Sequence, residues 1–310
     1  MLPSQAGDDR EGVDWRALAS LVEYVVHVLV IAGVYVILAE SLNLVVGFAG
    51  IPAMGHAAFS CIGAYTSALL ALHFGVSPFV GMLAGATAGG ALGFVVAYPA
   101  LRLKGDYLAL ATFGAGVILY NVAKNWVGLT RGPMGLPGIP PFRIGGSEIN
   151  SPASHLILVA VMATLVVWAC RNITRSTFGR NLTSVREDET AAIALGKNTA
   201  RLKLIAFVAG AFFAGIAGSL YAHYITFIDP SSFTTMESIT ILLMVIFGGM
   251  GSIAGSVIGA VVLVVLPELL RFVGLPSSVA APLRQMMYGL LLVLLMLWRP
   301  QGILGKYRLR

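Results

Sequence analysis

Long apolar runs separated by short polar stretches set the pattern of this chain. Runs approaching or exceeding the roughly 20 residues that a helix needs to cross a bilayer lie at about 21–41, 50–72, 78–100, 106–125, 153–170, 203–225, 233–250, 253–272 and 284–298. The pattern predicts an all-α, polytopic integral membrane protein with about 8–10 transmembrane helices. Gly47, Gly50 and Pro52 interrupt one of the runs. Proline lacks a backbone N–H and glycine favours non-helical backbone, so the stretch near 43–60 is expected to be a discontinuous segment. The chain then divides into a polar N-terminal tail (1–20), a transmembrane domain (21–298) and a basic C-terminal tail (299–310).

The polar stretches set an orientation. Residues 171–203 hold Arg171, Arg175, Arg180, Arg186, Lys197, Arg201 and Lys203. The C-terminal tail holds Arg299, Lys306, Arg308 and Arg310, and the turn at 101–105 holds Arg102 and Lys104. The longer loop 126–152 has only Arg131 and Arg143. Cytoplasmic loops carry the excess of Lys and Arg, which places the first three regions in the cytoplasm and 126–152 outside. The spans alternate consistently from residue 100 onward, whereas the parity of the N-terminal end depends on the broken segment. Loop 126–152 is too rich in Gly and Pro for a helix. It is expected to be a structured, turn-rich loop, with a flexible linker as the alternative.

Composition removes the soluble classes. The chain is 57% hydrophobic and 11% charged, against about 25% charged residues in soluble domains. The formal net charge of +6 fits basic loops beside anionic lipid. No helix-turn-helix or zinc-finger pattern points to nucleic acid. Cys61 and Cys170 lie far apart in apolar runs, which favours free buried thiols over a disulfide or a metal site. Asp8, Asp9, Arg10, Glu11, Asp14 and Arg16 crowd the first 20 residues, unlike the basic-then-apolar start of a secretory leader.

Candidate chemistry is sparse. The sequence has no G-x-S-x-G, H-E-x-x-H or C-x-x-C motif, and no G-x-x-x-x-G-K-[ST] loop for ATP. No metal site is expected. "GGMGSIAGSVIG" (248–259) lacks the lysine of such a loop, and Gly251, Gly255 and Gly259 have the spacing of a small-residue helix-packing face. The sequons at Asn172 and Asn181 fall in the basic loop, where glycosylation is not expected. Glu23, His27, Glu40, Asn43, His56, Glu237 and Glu268 sit within apolar runs. Such groups face the bundle interior or water, either lining a path for a polar substrate or joining helices.

The densest charge is in "REDETAAIALG" (186–196). Ser184 precedes Glu187 by the three residues of a capping box. The acidic run would fall in the first helical turn, where the macrodipole favours it, and Gly196 is a good C-terminal stop. The spacing predicts one helix of about three turns in the cytoplasmic loop. It either docks into a groove on a partner or is solvated.

Several blocks together resemble the larger permease subunit of bacterial ATP-binding-cassette importers for branched-chain amino acids. They are "LNLVVGFAGIPAMGHAAFSCIGAYTSALL" (42–70), "GDYLALATFG" (105–114), "NWVGLTRGPMGLPGIP" (125–140), "STFGRNLTSVREDETAAIALGKNTARLKLIAFVAGAFFAGIAGSLYA" (176–222), "SITILLMVIFGGMGSIAGSVIGA" (238–260), "LPELLR" (266–271) and "RPQGILG" (299–305). The resemblance implies a multi-pass protein of the bacterial inner membrane that forms half of a pore with a second homologous permease. Two cytoplasmic ATPase subunits would use ATP and Mg in trans, a periplasmic binding protein would deliver substrate, and this chain would hold no cofactor and no catalytic site. The family's coupling helix reads E-A-A with a later glycine. Here Thr190 intervenes, and Arg186, Glu187, Asp188, Glu189, Ala191, Ala192 and Gly196 are the candidate coupling residues. Asn43, Gly47, His56, Phe59 and Tyr65 are the candidate path. Ile51, Pro52 and Ala53 depart from the family's commoner glutamine-leucine-serine. Two rivals are a permease of the same superfamily for urea, short amides or aromatic acids, and an ion-coupled transporter using Glu237 and Glu268.

Overall fold

Helices carry most of the chain. The computed structural model describes residues 15–103, 105–144, 147–149, 151–271, 277–299 and 301–305. Most of the N-terminal tail, Lys104 and the basic residues Lys306, Arg308 and Arg310 lie outside the described residues. The bundle is built from α1 (Trp15–Leu42), α2 (Ala57–Phe74), α3 (Pro78–Ala100), α4 (Asp106–Asn125), α6 (Pro152–Arg175), α9 (Thr199–Ile225), α10 (Thr235–Gly248), α11 (Ile253–Arg271) and α12 (Ser277–Trp298). Among the described residues three short helices complete the set: α5 (Val127–Thr130), α7 (Thr177–Glu187) and α8 (Glu189–Ala194). Among the described residues seven spans are long and apolar enough to cross a membrane, while the apolar parts of α11 and α12 are shorter.

Contacts between distant residues order the helices between two ends. His27 of α1 meets Tyr224 near the end of α9, and His155 at the start of α6 meets the same tyrosine. Tyr24 hydrogen-bonds Glu268 near the end of α11. The start of α1 therefore shares its end of the bundle, the upper one, with residues 126–149. The chain leaving α1 reaches the lower end, where Gly47 meets Arg186 at the end of α7. The parity left open by the broken segment is thereby settled relative to loop 126–152.

Small residues set the closest packing. α9 lies along both α2 and α3. Gly63, Gly85 and Gly215 bring the three backbones together, and a Cβ added at Gly215 would lie 2.9 Å from the Ala86 Cα. Ser219 Oγ lies 2.9 Å from Gly215 O and 3.1 Å from Gly63 O, a polar tie across that contact. In lipid, such close approach and interhelical hydrogen bonding replace the apolar driving force that operates in water. Gly255 and Gly259 face Gly248 where α11 crosses α10. Gly251 is not on that face. It precedes α11 with φ 76° and serves the turn.

The described residues of loop 126–152 form a packed cap. β1 (Leu136–Pro137) pairs antiparallel with β4 (Phe227–Ile228), and β2 (Arg143–Ile144) with β3 (Ser147–Glu148). Leu136, Ile139, Phe142 and Ile228 are buried beneath it. His223 Nδ1 lies 2.7 Å from Pro140 O and its Nε2 2.7 Å from Ser67 Oγ, which fastens the cap to α9 and α2. The expectation of no helix here is corrected by α5, a single turn. Thr130 supports it by donating to Ala123 O at 2.6 Å.

Candidate transport path and coupling site

The broken segment lies inside the bundle. α1 ends at Leu42, residues Asn43–Phe48 continue as a π-helical turn, and α2 begins only at Ala57. Gly50 has φ 67°, a conformation that favours glycine. Non-helical backbone at membrane depth is tolerated only where protein or trapped water satisfies its polar groups. Here the protein supplies several of the partners. Met54 N–H donates to Thr112 Oγ1 at 3.2 Å, and Ala57 N–H donates to Ser238 Oγ at 3.0 Å. Arg186 Nη1 donates to Gly47 O. Asn43 Oδ1 accepts from Gly251 N–H at 2.9 Å, and Asn43 Nδ2 donates to Ser252 O at 3.3 Å. His56 Nε2 lies 2.7 Å from Ser41 Oγ.

The charged stretch forms two helices, which corrects the single helix expected from Ser184 to Gly196. Ser184 lies inside α7, where its hydroxyl donates back to Arg180 O at 2.9 Å. Buried Leu182 and Val185 carry α7 through the expected start. The cap is Asp188, extended at φ −151°, whose Oδ1 accepts from Ala191 N–H at 2.9 Å. After α8 the chain closes through Gly196 at φ 76°, with Lys197 N–H donating to Ala192 O at 3.1 Å. This is the six-to-one bond of a Schellman stop. Glu189 pairs with Lys203 of α9 at 2.8 Å. Ala192 is buried, whereas Glu187, Asp188, Ala191 and Gly196 are exposed. Ile193 and Leu195 are 57% and 76% exposed, so the lower end presents an apolar patch beside two acids.

A cavity of about 50 Å³ opens between α1, α2, α9 and α10, lined in part by Tyr35, Ser60, Tyr221, Ser232, Phe233 and Glu237. A water needs roughly 10–15 Å³ by the same measure, so the space holds at least a few waters. Tyr35 donates to Glu237 Oε1 and Tyr24 to Glu268 Oε2. Glu237 and Glu268 are thus tied to tyrosines of α1.

The model of one protein family, the permease component of branched-chain amino acid transport systems, matches residues 24–296. The chain belongs to this family. The high-affinity branched-chain amino acid transport permease LivM of Escherichia coli K12 is 37% identical over 303 residues, covering 89% of this chain and 68% of LivM. A probable LivM of Methanocaldococcus jannaschii is 27% identical over 88% of this chain and 90% of its own. The LivH permease of Salmonella typhimurium is 29% identical over 88% and 91%. This permease is a multi-pass membrane protein of the transport class.

Within the permease the candidate path residues are dispersed through the interior. Asn43 and Gly47 belong to the hydrogen-bonded turn, and His56 to the pair with Ser41. Phe59 packs edge-on against Phe207 at 5.5 Å, and Tyr65 lies by Phe233 at 6.4 Å. None of the five lines the 50 Å³ cavity. Tyr35, Ser60, Tyr221 and Ser232 line it, and the sequence pattern does not mark them. Tyrosines and serines are ordinary in apolar runs, and Tyr35 meets Glu237 from 202 residues away. No local pattern announces that meeting.

Proposed function

We propose that the permease is the membrane-spanning subunit of an ATP-binding-cassette importer in the inner membrane, carrying branched-chain amino acids. It works with a second homologous permease, two cytoplasmic ATPase subunits that use ATP and Mg, and a periplasmic binding protein. Family membership over residues 24–296 carries this reading. The lower end supports it: α8 is capped at Asp188, stopped at Gly196, and exposes Ile193 and Leu195. A short helix with an apolar patch and flanking charge suits docking into a partner's groove.

The mechanism follows from differential binding. ATPases that bind one conformation of the permease better than the other shift it toward that conformation. The close-packed α2, α3 and α9 suit rigid movement, because backbones in contact move together. Uptake of leucine, isoleucine and valine into vesicles holding the complete transporter is expected to continue when the proton gradient is collapsed and ATP is retained. Loss of uptake under those conditions overturns the importer reading. Stronger competition by urea, short amides or aromatic acids than by leucine overturns the substrate alone.

A further inference from the structure

Arg186 belongs to the charged stretch, yet its side chain points into the protein. It is in the last turn of α7, and its Nη1 donates to the carbonyl of Gly47, 139 residues earlier. The last carbonyls of a helix have no partner within it. Here Leu44 O and Val45 O accept from Ala49 and Ile51 N–H at 3.2 and 3.1 Å. Arg186 supplies the donor for Gly47 O. A cation at a helix C-terminus also complements the macrodipole. Gly50 makes room for the arginine, since a Cβ there would lie 2.8 Å from Arg186 Cγ.

The two ends of this contact belong to different parts of the machine. Two residues after Arg186, Asp188 caps α8. Lys197 Nζ donates to Ser184 Oγ at 3.1 Å and Glu189 pairs with Lys203, so α7, α8 and the start of α9 are tied together. On the other side, segment 43–56 touches Thr112 of α4 and the turn at Gly251 and Ser252 that joins α10 to α11, and Ala57, which follows it at the start of α2, donates to Ser238 of α10. A displacement of α8 reaches α7's last turn through Asp188, the single residue between the two helices. From there Arg186 offers a direct polar route to the backbone on which α4, α10 and α11 converge.

We propose that Arg186 is a positioning residue for transport: it transmits movement of α8 to the broken segment through the Gly47 carbonyl and takes no part in holding the ATPase. This rests on the reading of α8 as the ATPase-docking helix.

The test uses the complete transporter in proteoliposomes, with ATP hydrolysis and leucine uptake read in the same sample. Arg186→Gln, which shortens the donor and removes its charge, is expected to keep binding-protein-stimulated hydrolysis while leucine moved per ATP falls about tenfold, within the range of ordinary coupling energies. Arg186→Lys, which keeps a charged donor, should recover most of that loss. Gly50→Ala keeps the arginine but crowds its stem, which displaces the guanidinium from Gly47 O, and should show the same split. Unchanged leucine per ATP in Arg186→Gln overturns the proposal. So does loss of assembly in both Arg186→Gln and Gly50→Ala, which assigns the contact to folding. Leu195→Glu tests the docking reading separately: it should lower hydrolysis and uptake together. If it changes neither, α8 is not the docking helix, and a split seen in Arg186→Gln then assigns Arg186 to a route that starts elsewhere.

Discussion

Thr112 shows what one hydroxyl does in a membrane interior. It is 2% exposed, accepts the N–H of Met54, and lies 3.3 Å from Pro52 O. Thr112→Val keeps the shape and removes the acceptor. A buried donor left unsatisfied costs about 1–3 kcal/mol, so the variant should melt at a lower temperature in detergent and Thr112→Ser should restore it. Equal melting of the valine variant and the parent would show that Met54 finds another acceptor. The same scale explains a misreading. Ser184 and Glu187 have capping-box spacing, but serine also bonds back to the carbonyl four residues earlier inside a helix. Leu182 and Val185 tip that choice by burying the turn between them. Asp188, which does cap α8, is the one residue of the charged run whose type is favoured at an N-cap, a signal that the capping-box spacing of Ser184 and Glu187 masks.

Elements were more legible than single contacts. Apolar length located the bundle helices, and Gly47, Gly50 and Pro52 marked the break, because these depend on local backbone preference. The expected run from residue 50 begins as a helix only at Ala57, since the irregular backbone continues until Ser238 supplies an acceptor. The partners of that break, Arg186 and Gly251, are remote in sequence and left no local trace. Close packing of α2, α3 and α9 gives the element-scale prediction. Gly215→Leu places a side chain where the Gly85 and Ala86 backbone now lies, and overpacking of this kind costs at least about 1–3 kcal/mol. The variant should still insert but lose resistance to trypsin after extraction in mild detergent. Full resistance would show that α3 can move aside.

For the whole molecule, the structure fixes which surfaces share an end. Leu21 and Met134 are exposed at the upper end and Leu195 at the lower. Cys61 and Cys170 are buried, so single cysteines introduced at exposed positions can be labelled selectively. Leu21→Cys and Met134→Cys should react with a membrane-impermeant reagent from one face of sealed vesicles, and Leu195→Cys only from the other. Labelling of Leu21→Cys from the Leu195 face would reverse α1. Charge bias alone could not reach this result, because the break between α1 and α2 hides the number of crossings.

The small ladder between β1 and β4 has a consequence for how the protein is made. Leu136 pairs with Ile228 and Pro137 with Phe227, so the cap over the upper end joins strands on opposite sides of α6, α7, α8 and α9. On the ribosome the first strand emerges long before the second. The cap can close only after α9 has been threaded through the bilayer, which makes it a late seal on a bundle whose first half has already been inserted.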